Sequence, residues 1–199
     1  MVTSNKDLMT QAREALSGRW GLAVGAFFVF MLIMVAPGLI PVLSWGGSLI
    51  TLLIGGPFML SIATFSLAIS RKEEAKLEMI FSGFNNFGKA LGLYLLMMLF
   101  VVLWMLLLIV PGIIAALSYS LAFFLMSDDP NIGAMEAIDK SKKMMYGYKW
   151  KFFCLGLRFF GWILLGILTL GIGFLWIAPY MYVSYAKFYD DVKANFVES

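Results

Sequence analysis

Apolar and polar positions alternate along this chain in long blocks. Apolar runs cover about residues 21–43, 48–70, 90–110, 112–126, 152–170 and 173–185. A helix needs about 17–25 residues to cross the hydrocarbon of a bilayer, so the pattern predicts six transmembrane helices, the fourth and sixth short. The links between them alternate in character. PGLIPVLSWGG after the first run, Pro111-Gly112 after the third and LGIG after the fifth carry no charge. The twelve acidic residues, and every Lys and Arg but Arg158, fall in the N-terminal segment, in 71–89, in 128–151, or from Lys187 onward. Six crossings bring those four segments to one face. The excess of basic residues makes that face cytoplasmic, with both termini inside.

The polar segments are themselves patterned. Trp20, Phe87 and Trp150 open the odd-numbered spans at intervals of roughly 65 residues, and Gly18, Gly83 and Gly147 stand just before them. An amphipathic stretch precedes each glycine. The first starts at Ser4, with Asp7 three residues on as a capping pair, and sets Leu8, Ala12, Ala15 and Leu16 on one face. The second places Leu77, Ile80, Phe81 and Phe84 at i, i+3, i+4, i+7. The third is expected to start at Asp128-Asp129-Pro130, a cap followed by proline, with Ile132, Met135, Ile138 and Met145 opposite Asp139, Lys140, Lys142 and Lys143. The expected unit is an interfacial helix, a glycine break, an aromatic anchor and a helical hairpin. MMYGYKWKFF (144–153) is one such elbow.

The fold expected is therefore an all-α integral membrane protein. It is a single polytopic domain over 1–199, six spans arranged as three hairpins, each preceded by a cytoplasmic interfacial helix. Units of about 4–70, 71–127 and 128–191 suggest a pseudo-threefold repeat about the membrane normal. GGPFM (55–59) resembles IAPYM (177–181), and Gly21/Gly25 match Gly88/Gly92 as GxxxG pairs suited to close helix packing.

Composition sharpens this picture. The 199 residues are 61% hydrophobic and 14% charged, with mean hydropathy +0.88. A water-soluble domain carries about 25% charged residues, so lipid is the expected solvent for the excess. The N-terminus mixes charges at helical spacing and reads as part of the protein, not as a cleaved signal. With no histidine and one cysteine, Cys154, an intramolecular disulfide, a Cys/His zinc site and a His-based triad are excluded. No phosphate-binding loop, dinucleotide motif or paired intramembrane carboxylate is present, so no enzyme activity and no cofactor are expected.

Candidate contact residues are few. Arg158 is the one charge inside a span; it either snorkels to the surface or contacts a solute. Tyr119, Ser120, Tyr182 and Ser184, with neighbours Ser118, Tyr180 and Tyr185, form a polar seam along spans four and six. That seam serves inter-helix hydrogen bonds or lines a polar path. Lys142, Lys143 and Lys149 belong to a basic cluster near the third elbow, either a solvated corner or an attraction for anionic headgroups. Pro57 and Pro179 interrupt their helices, as kinks for packing or as a mid-membrane site. Asp128 and Asp129 are accounted for as a helix cap.

The stretches IVPGIIAALSYSLAFFLMSDDP (109–130), AMEAIDKSKKMMYGYKW (134–150) and LGIGFLWIAPY (170–180), with QAREALSGRWG (11–21) and FYDD (188–191), carry a resemblance. The chain resembles the bacterial integral-membrane family catalogued as domain of unknown function 975, itself similar to six-span domains attached to glycerophosphodiester phosphodiesterases. The resemblance implies this topology and a bacterial plasma membrane, and no activity. The function expected is a non-enzymatic inner-membrane protein. Its expected partners are the bilayer, anionic headgroups on the cytoplasmic side and a membrane protein, with no nucleic acid. The alternative is a small transporter or permease for an apolar or zwitterionic solute.

Overall fold

The computed structural model describes residues 3–39 and 46–196, and among them all regular structure is helical. In chain order these are α1 (Asn5–Leu16), α2 (Trp20–Leu39), α3 (Gly46–Ser70), a 3₁₀ helix (Leu77–Asn86), α4 (Phe87–Leu107), α5 (Ile109–Tyr119), α6 (Ala122–Asp128), α7 (Ala134–Met144), α8 (Lys149–Leu168) and α9 (Phe174–Asn195). Among the described residues, four stretches are long and apolar enough to cross a membrane: Leu49–Ser70, Leu77–Leu107, Ile109–Asp128 and Lys149–Leu168. A fifth is added if α1 and α2, bent by 97° at their break, form one span. The sixth apolar run begins α9, whose last turns carry Lys187, Asp190, Asp191 and Lys193. Residues 40–45 of the predicted first uncharged link lie outside the described residues.

Local chemistry sets the element ends. The Ser4 hydroxyl accepts from the Asp7 backbone N–H at 3.2 Å and donates to the Asp7 carboxylate at 2.6 Å, capping α1. The predicted face of α1 (Leu8, Ala12, Ala15, Leu16) is the buried one. Gly18 and Gly147 adopt φ of +76° and +81°, conformations that cost an L side chain energy, where α1 and α7 give way to α2 and α8.

The second amphipathic stretch is a 3₁₀ helix, not the expected α-helix. With three residues per turn, Ile80 and Gly83 share a buried face while Phe81 stays exposed; Leu77, in the first turn of the buried face, is exposed as well. A phenyl ladder at the same period runs through Phe81, Phe84 and Phe87, with centroid spacings of 6.4 and 6.3 Å. The third stretch also departs from expectation. Its helix starts at Ala134 after Gly133, so Asp128 ends α6 instead of capping α7, and Pro130 is not a first-turn residue. Ile132, Ile138 and Met145 are buried as expected, whereas Met135 is half exposed.

Two mid-helix breaks are stitched by the polar stretch that follows them. In α3, Pro57 has no N–H and frees a carbonyl one turn earlier. Ser61 Oγ donates to the Pro57 carbonyl at 3.0 Å and accepts from the Gly83 N–H of the 3₁₀ helix at 2.9 Å. A Cβ on Gly83 would sit 2.0 Å from the Pro57 carbonyl oxygen, so only glycine allows this approach. The predicted fourth span is split into α5 and α6. At that break the buried Ser141 Oγ of α7 accepts from Leu121 N–H at 3.2 Å and donates to the Ser118 carbonyl at 2.8 Å.

Packing between elements has a rotating order. α4 lies on α3, α8 on α5, and α2 on α9. Likewise the 3₁₀ helix lies on α3, α7 on α5 and α6, and α1 on α9. α3 meets both α6 and α9, and Phe124 of α6 stacks on Tyr189 of α9 at 5.6 Å. The GxxxG expectation does not hold. Gly21, Gly25, Gly88 and Gly92 all face open space, and the close approach occurs at Gly56, where a Cβ would meet the Ala90 carbonyl oxygen of α4 at 2.5 Å. Only one of the two helices in that contact needs a glycine, so the motif's spacing does not reveal it.

Candidate functional site

The charged segments meet at one end of the bundle. Arg71, just past α3, spreads its guanidinium over two carboxylates from different helices. Its Nη1 and Nη2 donate to the two oxygens of Asp128 (2.7 and 2.9 Å), while Nε and Nη2 donate to Asp190 Oδ1 (3.2 and 2.7 Å). Asp128 Oδ2 also accepts from Tyr189 Oη at 2.9 Å and Lys193 Nζ at 2.5 Å. Asp190 Oδ2 accepts from Ser70 Oγ at 3.2 Å, and Lys187 donates to the Ser70 carbonyl. The Asp128 hydrogen bond, with the charges of both carboxylates, holds the Arg71 pKa above its already high ordinary value against the opposing pull of burial. The ends of α3, α6 and α9 are thereby tied through one network. Ser127 Oγ donating to Thr64 Oγ1 at 2.9 Å ties α6 to α3 one residue before Asp128.

A second clamp holds the N-terminal segment. The Asp191 carboxylate accepts from Thr3 Oγ1 at 2.6 Å, from Thr3 N–H at 3.2 Å and from Lys151 Nζ at 2.9 Å, and Asn5 Nδ2 donates to the Lys151 carbonyl at 2.9 Å. At the other end of α1, Arg19 Nη1 and Nη2 donate to the carbonyls of Glu73 (2.6 Å) and Lys72 (3.2 Å). Lys89 donates to the Pro130 carbonyl at 2.6 Å. All four charged stretches picked out in the sequence are thus bonded to one another.

The sequence candidates scatter. Lys142 and Lys143 line a surface basin of about 1070 Å³ with Glu136, Asp139, Lys140, Tyr146 and Phe196, so the basin mixes both signs of charge. Lys149 lies at the start of α8 outside that lining. Arg158 is exposed on α8 with no hydrogen bond or ion pair among the described residues, an arrangement suited to snorkelling. Ser118 and Ser184 return their hydroxyls to carbonyls four residues back (2.6 and 2.8 Å), and Ser120 to the carbonyl three back (2.8 Å). Tyr119 packs beside Phe100 at 6.3 Å and Tyr182 beside Phe27 at 5.6 Å. A void of about 10 Å³ beside Phe27, Ser61 and Phe65 is no larger than one water needs. Among the described residues no three His, Cys, Asp or Glu side chains are grouped to hold a metal.

Sequence reasoning missed the Arg71–Asp128–Asp190 network. Its signal was present in polar residues at or shortly beyond the ends of three apolar runs: Ser70-Arg71, Ser127-Asp128 and Tyr189-Asp190. A cap reading of Asp128 hid it.

A model of the family described as "Protein of unknown function (DUF975)" matches residues 1–118 and 105–196. No curated protein and no solved structure matches the chain.

Proposed function

From the premise that this chain belongs to the DUF975 family, we propose that it is a non-enzymatic, six-span protein of a bacterial plasma membrane whose charged end binds a membrane partner or lipid. Both termini are cytoplasmic, and the three hairpins are related by a pseudo-threefold axis. The rotating order of packing supports that symmetry: each odd span and each interfacial segment lies on the even span of the preceding unit, and the third unit closes on the first. Mutual bonding of the four charged stretches supports a single aqueous face for them.

One observation carries the functional reading. The even spans α3, α6 and α9 are locked together by Arg71, Asp128 and Asp190 at the charged end. The serine hydroxyls of the seam, on Ser118, Ser120 and Ser184, are bonded within their own helices. A transporter or permease for an apolar or zwitterionic solute needs a path or a breakable gate along this axis, and these features oppose it. The exposed chemistry lies at the charged end, around Lys142, Lys143, Tyr146 and Phe196. A photoactivatable residue replacing the exposed Tyr146 in native membranes tests the reading. It predicts a discrete protein adduct or a lipid adduct, and irradiation yielding neither refutes it.

A further inference from the structure

A cleft of about 230 Å³ opens between the first and last units, lined by Arg13 of α1, Trp20 of α2, Trp162 of α8, and Trp176, Ile177 and Tyr180 of α9. Its lining is divided by chemistry. α1 is pinned to the charged end at both extremities, through Thr3 and Asn5 at one and Arg19 at the other, so Arg13 stands at that end. Arg13 is exposed and makes no hydrogen bond or ion pair among the described residues. The remaining lining descends into the apolar part of the bundle. Trp162 lies about 20 Å along α8 from Lys149, and Tyr180 about 16 Å along α9 from Asp191, at 1.5 Å per residue. Trp162 and Trp176 are each half exposed.

We propose that this cleft is a binding site for an anionic phospholipid. The headgroup phosphate pairs with Arg13, and one acyl chain lies along Trp162, Trp176 and Ile177. Three features point to a lipid rather than a soluble solute. The sole charge in the lining is an unpartnered guanidinium, which suits a phosphate oxygen pair. Indoles with one apolar body and one polar N–H are the side chains favoured where chain meets headgroup. The volume is below the roughly 300–1,000 Å³ of a pocket that engulfs a small molecule, so the cleft takes one segment of a ligand whose remainder stays in the bilayer. A zwitterionic lipid offers the same chain but sets its own cation near Arg13, so the site discriminates by headgroup charge. The inference rests on the chain being embedded in a membrane.

The test uses the full chain with Trp45, Trp104 and Trp150 replaced by Phe, reconstituted into vesicles. The phosphatidylglycerol or the phosphatidylcholine carries dibrominated acyl chains, which quench indole fluorescence on contact. At equal mole fraction the anionic lipid is expected to occupy the quenching position about fivefold more than the zwitterionic one, the ratio that about 1 kcal/mol per cation gives. Arg13→Gln should abolish that preference and Arg13→Lys keep most of it. Lys76→Gln, which removes an exposed cation from the same end but not from the cleft, should leave it unchanged. Equal quenching by both lipids, or a preference that survives Arg13→Gln or falls equally with Lys76→Gln, overturns the site while leaving membrane embedding intact. Absence of quenching by either lipid overturns both.

Discussion

Replacing Arg71 with alanine removes four N–H···O contacts of 2.7–3.2 Å that join α3 to α6 and α9. The magnitude follows from exposure and from what stays behind. The Arg71 side chain is 31% exposed, Asp128 12% and Asp190 28%, between a surface pair worth about 0–1 kcal/mol and a buried pair whose breaking costs about 3–5 kcal/mol. Asp128 keeps Tyr189 and Lys193, and Asp190 keeps Ser70, so neither carboxylate is orphaned. A loss of about 2–3 kcal/mol is expected. Arg71→Lys keeps the charge but cannot bridge two carboxylates with a planar fork, and should lose about half as much. Equilibrium unfolding of the purified protein in mixed micelles, titrated with a denaturing detergent, reads these values. Double-mutant cycles with Asp128→Asn and Asp190→Asn apportion them, and the coupling should be larger to Asp128, which takes the bidentate contact. A loss from Arg71→Ala within about 0.5 kcal/mol of that from Lys76→Ala, a change at a mostly exposed side chain, would refute this role for Arg71.

Other substitutions probe separate parts of the account by the same unfolding assay. Gly83→Ala, which puts a Cβ 2.0 Å from the Pro57 carbonyl oxygen, and Gly56→Ala, at 2.5 Å from Ala90 O, should each destabilise by about 1–3 kcal/mol. Gly25→Ala and Gly92→Ala, with open space around them, should be neutral or stabilising by up to about 1 kcal/mol; equal losses in the two pairs would contradict the packing assigned to them. Ser141→Ala strands the Leu121 N–H and Ser118 carbonyl at the α5–α6 break and should cost about 2–3 kcal/mol, against under about 1 for the Ser4→Ala cap change. Arg158→Gln should leave unfolding unchanged within about 0.5 kcal/mol, and a larger loss would reveal a partner that the structure lacks.

Legibility in the sequence depended on how local the cause was. Helical character, the α1 face and its Ser4 cap, and the glycine elbows at Gly18 and Gly147 rest on neighbours within a few residues, and the residues predicted them. The 3₁₀ form of 77–86 was hidden because Leu77, Ile80, Phe81 and Phe84 suit an α-helix equally well. The 3₁₀ helix is found where Gly83 must press on Pro57, 26 positions away. The α5–α6 break left no proline or glycine as a marker, since Ser141, some twenty residues on, stabilises it. At the charged end, Lys142 and Lys143 were legible as surface cations. The Arg71 network was not, because it joins residues 57 and 119 positions apart and one aspartate already had an adequate local explanation. GxxxG failed for the reverse reason: a local spacing was read as a tertiary contact.

The proposed topology requires the charged stretches to share one aqueous face. Lys76, whose side chain is 60% exposed, is the position to probe, as Lys76→Cys with Cys154→Ala to remove the native thiol. A membrane-impermeant maleimide should label it in inside-out vesicles and leave it unmodified in intact cells. Modification in intact cells would contradict the account.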